Sequence, residues 1–182
     1  MAKFFKEMDY EKVREEEVFK GKRLNLKIEE YYNRRDDKLL YREHVKAGKA
    51  VVIMPFLTDD TLIMIEEVRT PIGKSILEFP AGMIEDGENP REAAIRELEE
   101  ETGYRANCLE KVIHEYPAVG YSDEEIYIYR AKDLKKTKKN LDPTEDIKVH
   151  KITIEELKQL YEKGEICSSA ELIALLSYLY KS

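Results

Sequence analysis

Hydrophobic and polar positions along the chain divide it into short strands, one strongly signalled central helix and two closing helices. Lys22 to Ile28 alternates, with Leu24, Leu26 and Ile28 on one face, and predicts a half-buried strand with Leu39 to Val45 as its hairpin partner. Ala50 to Leu57 is an almost unbroken apolar run and predicts a core strand. The turn residues Thr58-Asp59-Asp60-Thr61 lead into a second core strand over Leu62 to Val68. Ile76 to Phe79 predicts a shorter strand before Pro80-Ala81-Gly82. Val112 to Tyr116, Glu125 to Arg130 and Ile147 to Ile152 predict further strands, with a lysine-rich loop over Lys132 to Thr144. Asn89 as N-cap, Pro90 at the first helical position, Glu92 for a capping box and Gly103 as stop predict a helix over 90–102. Thr153 with Glu156, and Ser168 with Glu171, have the spacing of capping boxes for two last helices, one ending at Gly164 and one running through Leu179. Strands around one central helix, with helices at the end, predict an α+β chain built as an α/β/α sandwich.

The chain has 182 residues, enough to bury a real core, and shows no repeat or long linker. Residues 1–47 read as an amino-terminal strand extension and 48–182 as the main domain. Lys+Arg 31 against Asp+Glu 38 gives a net charge of −7, which argues against nonspecific nucleic-acid binding but leaves room for a local cationic anion site. Cys108 and Cys167 are far apart with no CxxC partner, so half-buried reduced thiols are expected rather than a disulfide or zinc site. No apolar run approaches the roughly 20 residues that span a bilayer, and Met1 to Asp9 lacks a signal-peptide apolar stretch. The expected compartment is the cytoplasm, with no membrane partner.

On the 90–102 helix, Ala94, Ile95 and Leu98 share a core-facing side. Glu97, Glu100 and Glu101 stand at i, i+3 and i+4, so their carboxylates converge on the opposite side. Like charges at that spacing repel, and the negative end of the helix dipole adds to the conflict, each effect being worth about 0.3–1 kcal/mol. An exposed acidic face balanced by nearby lysines would show the same spacing. A bound divalent cation would also repay the conflict, since magnesium takes oxygen ligands from a few carboxylates together with substrate phosphates, and the spacing alone leaves both readings open.

The flanking residues sharpen that reading. From Gly82 there are five residues to Glu88, seven more, and then Arg96-Glu97-Leu98-Glu99-Glu100-Glu101-Thr102-Gly103-Tyr104. This resembles the Nudix box, departing from it only at Tyr104, where the family has a bulky aliphatic residue. The resemblance implies a Nudix-like sandwich with a mixed sheet and Mg2+-dependent (or Mn2+-dependent) hydrolysis of a diphosphate bond. It implies Glu97 and Glu101 as principal metal ligands, Glu100 as a further ligand and catalytic carboxylate, the Ala81 carbonyl as a backbone ligand, and Arg96 as the arginine that orients the site.

A wider pattern is similar to the ADP-ribose pyrophosphatase branch: Phe19-Lys20-Gly21-Lys22, Arg42-Glu43, Glu67-Val68-Arg69, Leu77-Glu78-Phe79-Pro80-Ala81-Gly82 and Tyr116 to Glu124. That resemblance implies cleavage of ADP-ribose to AMP and ribose 5-phosphate by a homodimer whose amino-terminal strands help build the partner's adenosine pocket. It implies Arg69, Arg42 and Phe19 as substrate-binding residues and Glu145 as a metal ligand or general base, with Asp142 and Glu124 as alternatives because Pro143 stands where a related member has another glutamate. Val119 occupies the position of a proline usual in ADP-ribose-preferring members, and Tyr121 lies near a tyrosine of dinucleoside polyphosphate hydrolases. A nucleotide sugar or dinucleoside polyphosphate is therefore the alternative substrate. A nucleotide sensor without turnover and an RNA 5′-end hydrolase are weaker readings, the first because of the intact acidic face and the second because of the negative net charge.

Overall fold

The computed structural model describes residues 8–141 and 146–180. The chain divides into two compact units, one of residues 1–48 with 118–124 and one of 49–117 with 125–182.

The first unit is a three-stranded antiparallel sheet of β1 (Glu11–Lys20), β2 (Asn25–Asn33) and β3 (Lys38–Lys46), in that order. β1 has no alternation in its sequence, and every residue in it is exposed. It is recruited by β2, with Glu15 opposite Glu29 and Lys20 opposite Asn25. The 118–124 turn joins this unit through the Val45 amide, which donates to Tyr121 O at 2.7 Å, and the Ala47 amide, which donates to Asp123 Oδ1 at 3.0 Å.

The second unit holds the mixed sheet expected from the sequence. β4 (Lys49–Pro55) pairs parallel with β9 (Glu125–Lys136) and antiparallel with β7 (Ala81–Met83), while β8 (Tyr104–Glu115) extends β9 antiparallel. A second sheet is ordered β10 (Ile147–Thr153), β5 (Thr61–Arg69), β6 (Lys74–Glu78). The unbroken apolar run of β4 has its reason in the layers on either side. Val51 and Ile53 pack with Ala93, Ala94 and Leu98 of α1 (Pro90–Thr102). Val52 and Met54 pack in a core that includes Leu157 of α2 (Ile154–Glu162) and Ala170, Ala174 and Leu175 of α3 (Ser169–Leu179). The α/β/α layering follows directly.

Several local details differ from expectation. β8 and β9 each run 12 residues, so β9 continues through Lys132 to Lys136 where the lysines suggested a loop. Within that stretch only Leu134 is half-buried and the lysines are exposed, so pairing with β8 overrides their low strand propensity. On α1 it is Ala93 that is buried beside Ala94 and Leu98, while Ile95 is only half-buried. Cys108 and Cys167 are unpaired and exposed rather than half-buried. Among the described residues no helix is long and apolar enough to cross a membrane.

Candidate active site

The site is built where α1 meets the chain leaving β6. Asn89 Oδ1 accepts from the amides of Arg91 and Glu92, both at 3.0 Å, and Gly103 closes the helix at φ 72° with its amide on Glu99 O. Among the described residues Glu92 makes no return bond to Asn89, so the cap is the asparagine alone. With both ends fixed, the rotation of α1 is set by Ala93, Ala94 and Leu98, and that rotation turns Glu97 and Glu101 inward against residues 81–82.

Glu101 is only 2 % exposed, and its Oε2 accepts from the Ala81 amide at 3.0 Å. Glu97 lies so close over Gly82 that a β-carbon there would stand 2.1–2.3 Å from its carboxylate atoms. Gly82 is thus required for the close approach of a carboxylate. Two glutamates one helical turn apart are thereby gathered at one short backbone segment.

Arg96 supplies the opposing charge. Its Nε and Nη2 donate to Glu88 at 2.9 and 2.8 Å, and Nη2 also donates to Met83 O at 2.9 Å. Nη1 donates to Glu97 Oε1 at 2.7 Å and Glu100 Oε2 at 3.1 Å. The hydrogen bond to Glu88, reinforced by those to Glu97 and Glu100, holds the guanidinium well above its ordinary pKa against the cost of burial. Glu88 in turn is held below the usual carboxylate range by Arg96, and its Oε2 also accepts from the Glu85 amide.

Among the described residues no three His, Cys, Asp or Glu side chains form a ready cation cage. Arg96 engages Glu97 and Glu100 of the three candidate ligands on the helix, so a cation entering here competes with its Nη1. The donor set still suits a hard divalent ion, being carboxylates and one carbonyl at the start of β7, where Gly82 has no β-carbon to obstruct Glu97.

On the other side of Ala81, Arg69 Nε donates to Glu78 Oε1 at 2.8 Å, and Arg69 Nη2 lies 3.1 Å from Glu67 Oε2. Arg69 is therefore clamped on its own sheet. Burial pushes the Glu78 carboxyl up to about 7, a shift that Arg69 opposes without cancelling. Glu78 and Glu67 lay within the sequence patterns without an assigned role. The available signal for Glu78 was an acid inside an apolar string, Ile76-Leu77-Glu78-Phe79, which predicts a buried carboxyl.

Glu145, Asp142 and Pro143 lie outside the described residues. Next to them, the Asn140 amide donates to Glu100 O at 3.0 Å and Ile147 pairs with Glu67, so both flanks are tied to elements that carry site residues.

Arg42, Phe19 and Glu124 fall in the first unit. Arg42 lines a cavity of about 300 Å3 together with Tyr10, Tyr31, Tyr121, His44 and Glu29. Glu29 is buried there, accepting from Lys12 Nζ at 3.1 Å and Tyr31 Oη at 2.8 Å, with His44 Nδ1 at 3.3 Å. Burial disfavours its charge, but the hydrogen bonds from Tyr31 and Lys12 outweigh that and hold its pKa below the ordinary value. Phe19 does not line this cavity. It is 59 % exposed on β1, and its ring lies over Gly21, where a β-carbon would stand 2.8 Å from it. Glu124 belongs to the 118–124 turn, its amide donating to Ser122 Oγ at 3.1 Å.

The chain is similar to known proteins. The family model of the NUDIX domain matches residues 46–173. The chain is 33 % identical over 172 residues to the ADP-ribose pyrophosphatase of Bacillus subtilis (strain 168), covering 93 % of this chain and 92 % of that protein. It is 35 % identical over 179 residues to the methanol dehydrogenase activator of Bacillus methanolicus, covering 96 % and 94 %. A crystal structure of an ADP compounds hydrolase superposes with a TM-score of 0.82 at 24 % identity, covering 96 % of this chain and 98 % of that one, and so shares its fold. With the box glutamates Glu97 and Glu101 gathered at the Ala81–Gly82 backbone of β7 and the family model spanning most of the chain, this protein belongs to the Nudix family.

Proposed function

We propose that this Nudix pyrophosphohydrolase cleaves the diphosphate bond of ADP-ribose to AMP and ribose 5-phosphate with Mg2+, for which Mn2+ can substitute, as a cytoplasmic homodimer. The observation that carries the reading is the gathering of the Glu97 and Glu101 carboxylates at the Ala81–Gly82 backbone, with Glu100 drawn to the same arginine. The name of the Bacillus subtilis relative supports the choice of substrate.

In this reading Glu97, Glu100, Glu101 and the Ala81 carbonyl hold the divalent cation, with Glu145 as a further ligand. A cation bound there neutralises diphosphate charge and makes water more acidic. Arg96 orients Glu97 and Glu100 through its Nη1. Arg69, held by Glu67 and Glu78, offers a planar donor to a phosphate oxygen. Glu145 accepts the proton of the attacking water, a role open also to Asp142 and Glu124. Arg42 is a further substrate-binding arginine in this reading, offering the same kind of planar donor, while the adenine end of the substrate stacks on an aromatic plane. Phe19, exposed on β1, serves the same end from a partner copy.

Chromatography of the reaction products tests the proposal. Purified protein with ADP-ribose and Mg2+ should release AMP and ribose 5-phosphate, and Glu101→Gln should lose about 10³-fold or more in turnover while remaining folded. Intact ADP-ribose beside rapid cleavage of another diphosphate would reject the substrate. A nucleotide sugar or dinucleoside polyphosphate is the second reading, because Val119 and Tyr121 both line the cavity around Arg42. A panel of these compounds ranked by kcat/KM separates the two.

A further inference from the structure

We propose that Glu171 is a positioning residue for the metal site, its buried carboxylate setting the direction of the Ala81 carbonyl through the Phe79 amide. This rests on the reading of Ala81 as a metal ligand.

The spacing Ser168-x-x-Glu171 predicts a reciprocal cap for α3. Half of that cap is present, with Ser168 Oγ accepting from the Glu171 amide at a long 3.5 Å. The carboxylate is used elsewhere. Glu171 Oε1 accepts from the Phe79 amide at 3.2 Å, across 92 residues of sequence. It is only 4 % exposed, and burial raises its pKa against the stabilising Phe79 and Glu171 amides. A buried carboxyl that gives up a local cap for a distant amide calls for a reason in the fold.

The reason lies in the backbone it meets. β6 ends at Glu78 in one sheet and β7 begins at Ala81 in the other, so Phe79 and Pro80 cross between sheets without a ladder partner of their own. Pro80 has no amide to offer. The crossing is held at three points: the Phe79 amide on Glu171, Pro80 O accepting from the Ile53 amide at 2.9 Å, and the Ala81 amide on Glu101 at 3.0 Å. Without Glu171, a buried donor would lose its partner, and the crossing would be held only by the Pro80 and Ala81 bonds that follow it. Phe79 itself is fully buried in the core that contains Ala170, Ala174 and Leu175, so its ring keeps the segment packed even when the amide is released. Loss of Glu171 therefore disturbs aim more than folding. Glu78, one residue earlier, anchors Arg69, so the same disturbance reaches the proposed phosphate-binding arginine.

Mn2+ affinity without substrate, read by electron paramagnetic resonance of the free ion, tests the inference on wild type, Glu171→Gln and Glu171→Leu. Glutamine keeps an acceptor and should bind Mn2+ like wild type. Leucine removes the acceptor and should weaken Mn2+ binding about tenfold, with KM for substrate rising more than kcat falls. Equal affinity in all three variants overturns the role of Glu171 and leaves the metal site standing. Equal loss in both variants overturns it too, because charge rather than the amide bond would then be responsible. A wild type that binds no Mn2+ removes the metal reading itself. Should the leucine variant not fold, protein labelled with 15N-phenylalanine decides, with the Phe79 amide assigned by its disappearance in Phe79→Leu. That amide should shift on adding Mg2+, and a Phe79 signal indifferent to Mg2+ overturns the coupling.

Discussion

Glu78 and Arg69 form a close pair, yet the carboxyl titrates as a weak acid. Desolvation outweighs the attraction of Arg69, and the neighbouring carboxylates Glu171 and Glu67 add to it, leaving the group at about 7. A carboxyl raised in the folded state costs stability when it ionises. Below its ordinary value, 4.5, both folded and unfolded chains carry the proton and nothing is lost. As pH rises from there to about 7 the unfolded chain ionises first, and stability falls across that window. Glu78→Gln cannot ionise and still accepts from Arg69. In metal-free protein its melting midpoint should match wild type near pH 4 and exceed it by about 3–6 °C at pH 8. A calorimetric pH series checks this, and a difference that shrinks towards alkaline pH would contradict the assigned cause.

At the scale of elements, the α1 helix and the first residues of β7 act as one device, since neither end of the contact has room to spare. The helix brings Glu97 inward and Gly82 leaves space for it. Gly82→Ala puts a methyl group against the flexible end of Glu97 rather than against backbone, so the fold survives by moving the carboxylate. The expected result is a fall in melting midpoint within about 3 °C and a loss of turnover above about tenfold. Thermal melts run beside product assays would expose the opposite pattern, a large stability loss with activity per folded molecule intact.

For the whole molecule, the amino-terminal strands present a different kind of surface. β1 is an edge strand whose ten residues are all exposed, Val13, Val18 and Phe19 among them, and Leu39 and Tyr41 of β3 are exposed as well. An unpaired edge carrying apolar side chains invites another chain. The expectation is a homodimer in sedimentation equilibrium, shifted towards monomer by Phe19→Glu. A wild type that sediments as a monomer at micromolar concentration would set the dimer aside.

Much of this was legible in the sequence because the signals are local. Asn89 and Gly103 specify α1 through bonds to residues within a turn and Pro90 through its fixed φ, and the spacing of Glu97, Glu100 and Glu101 follows from helical pitch alone. The apolar run of β4 required cover on both faces, and its two layers were implied before they were seen. The tertiary structure alone decided what depends on distant partners. β9 continues through a lysine-rich stretch because β8 lies beside it. The 118–124 turn joins the amino-terminal unit by bonds to Val45 and Ala47. Glu171 carries the pattern of a helix cap but spends its carboxylate on Phe79, because a backbone crossing between sheets leaves a buried amide that nothing nearby in sequence can satisfy.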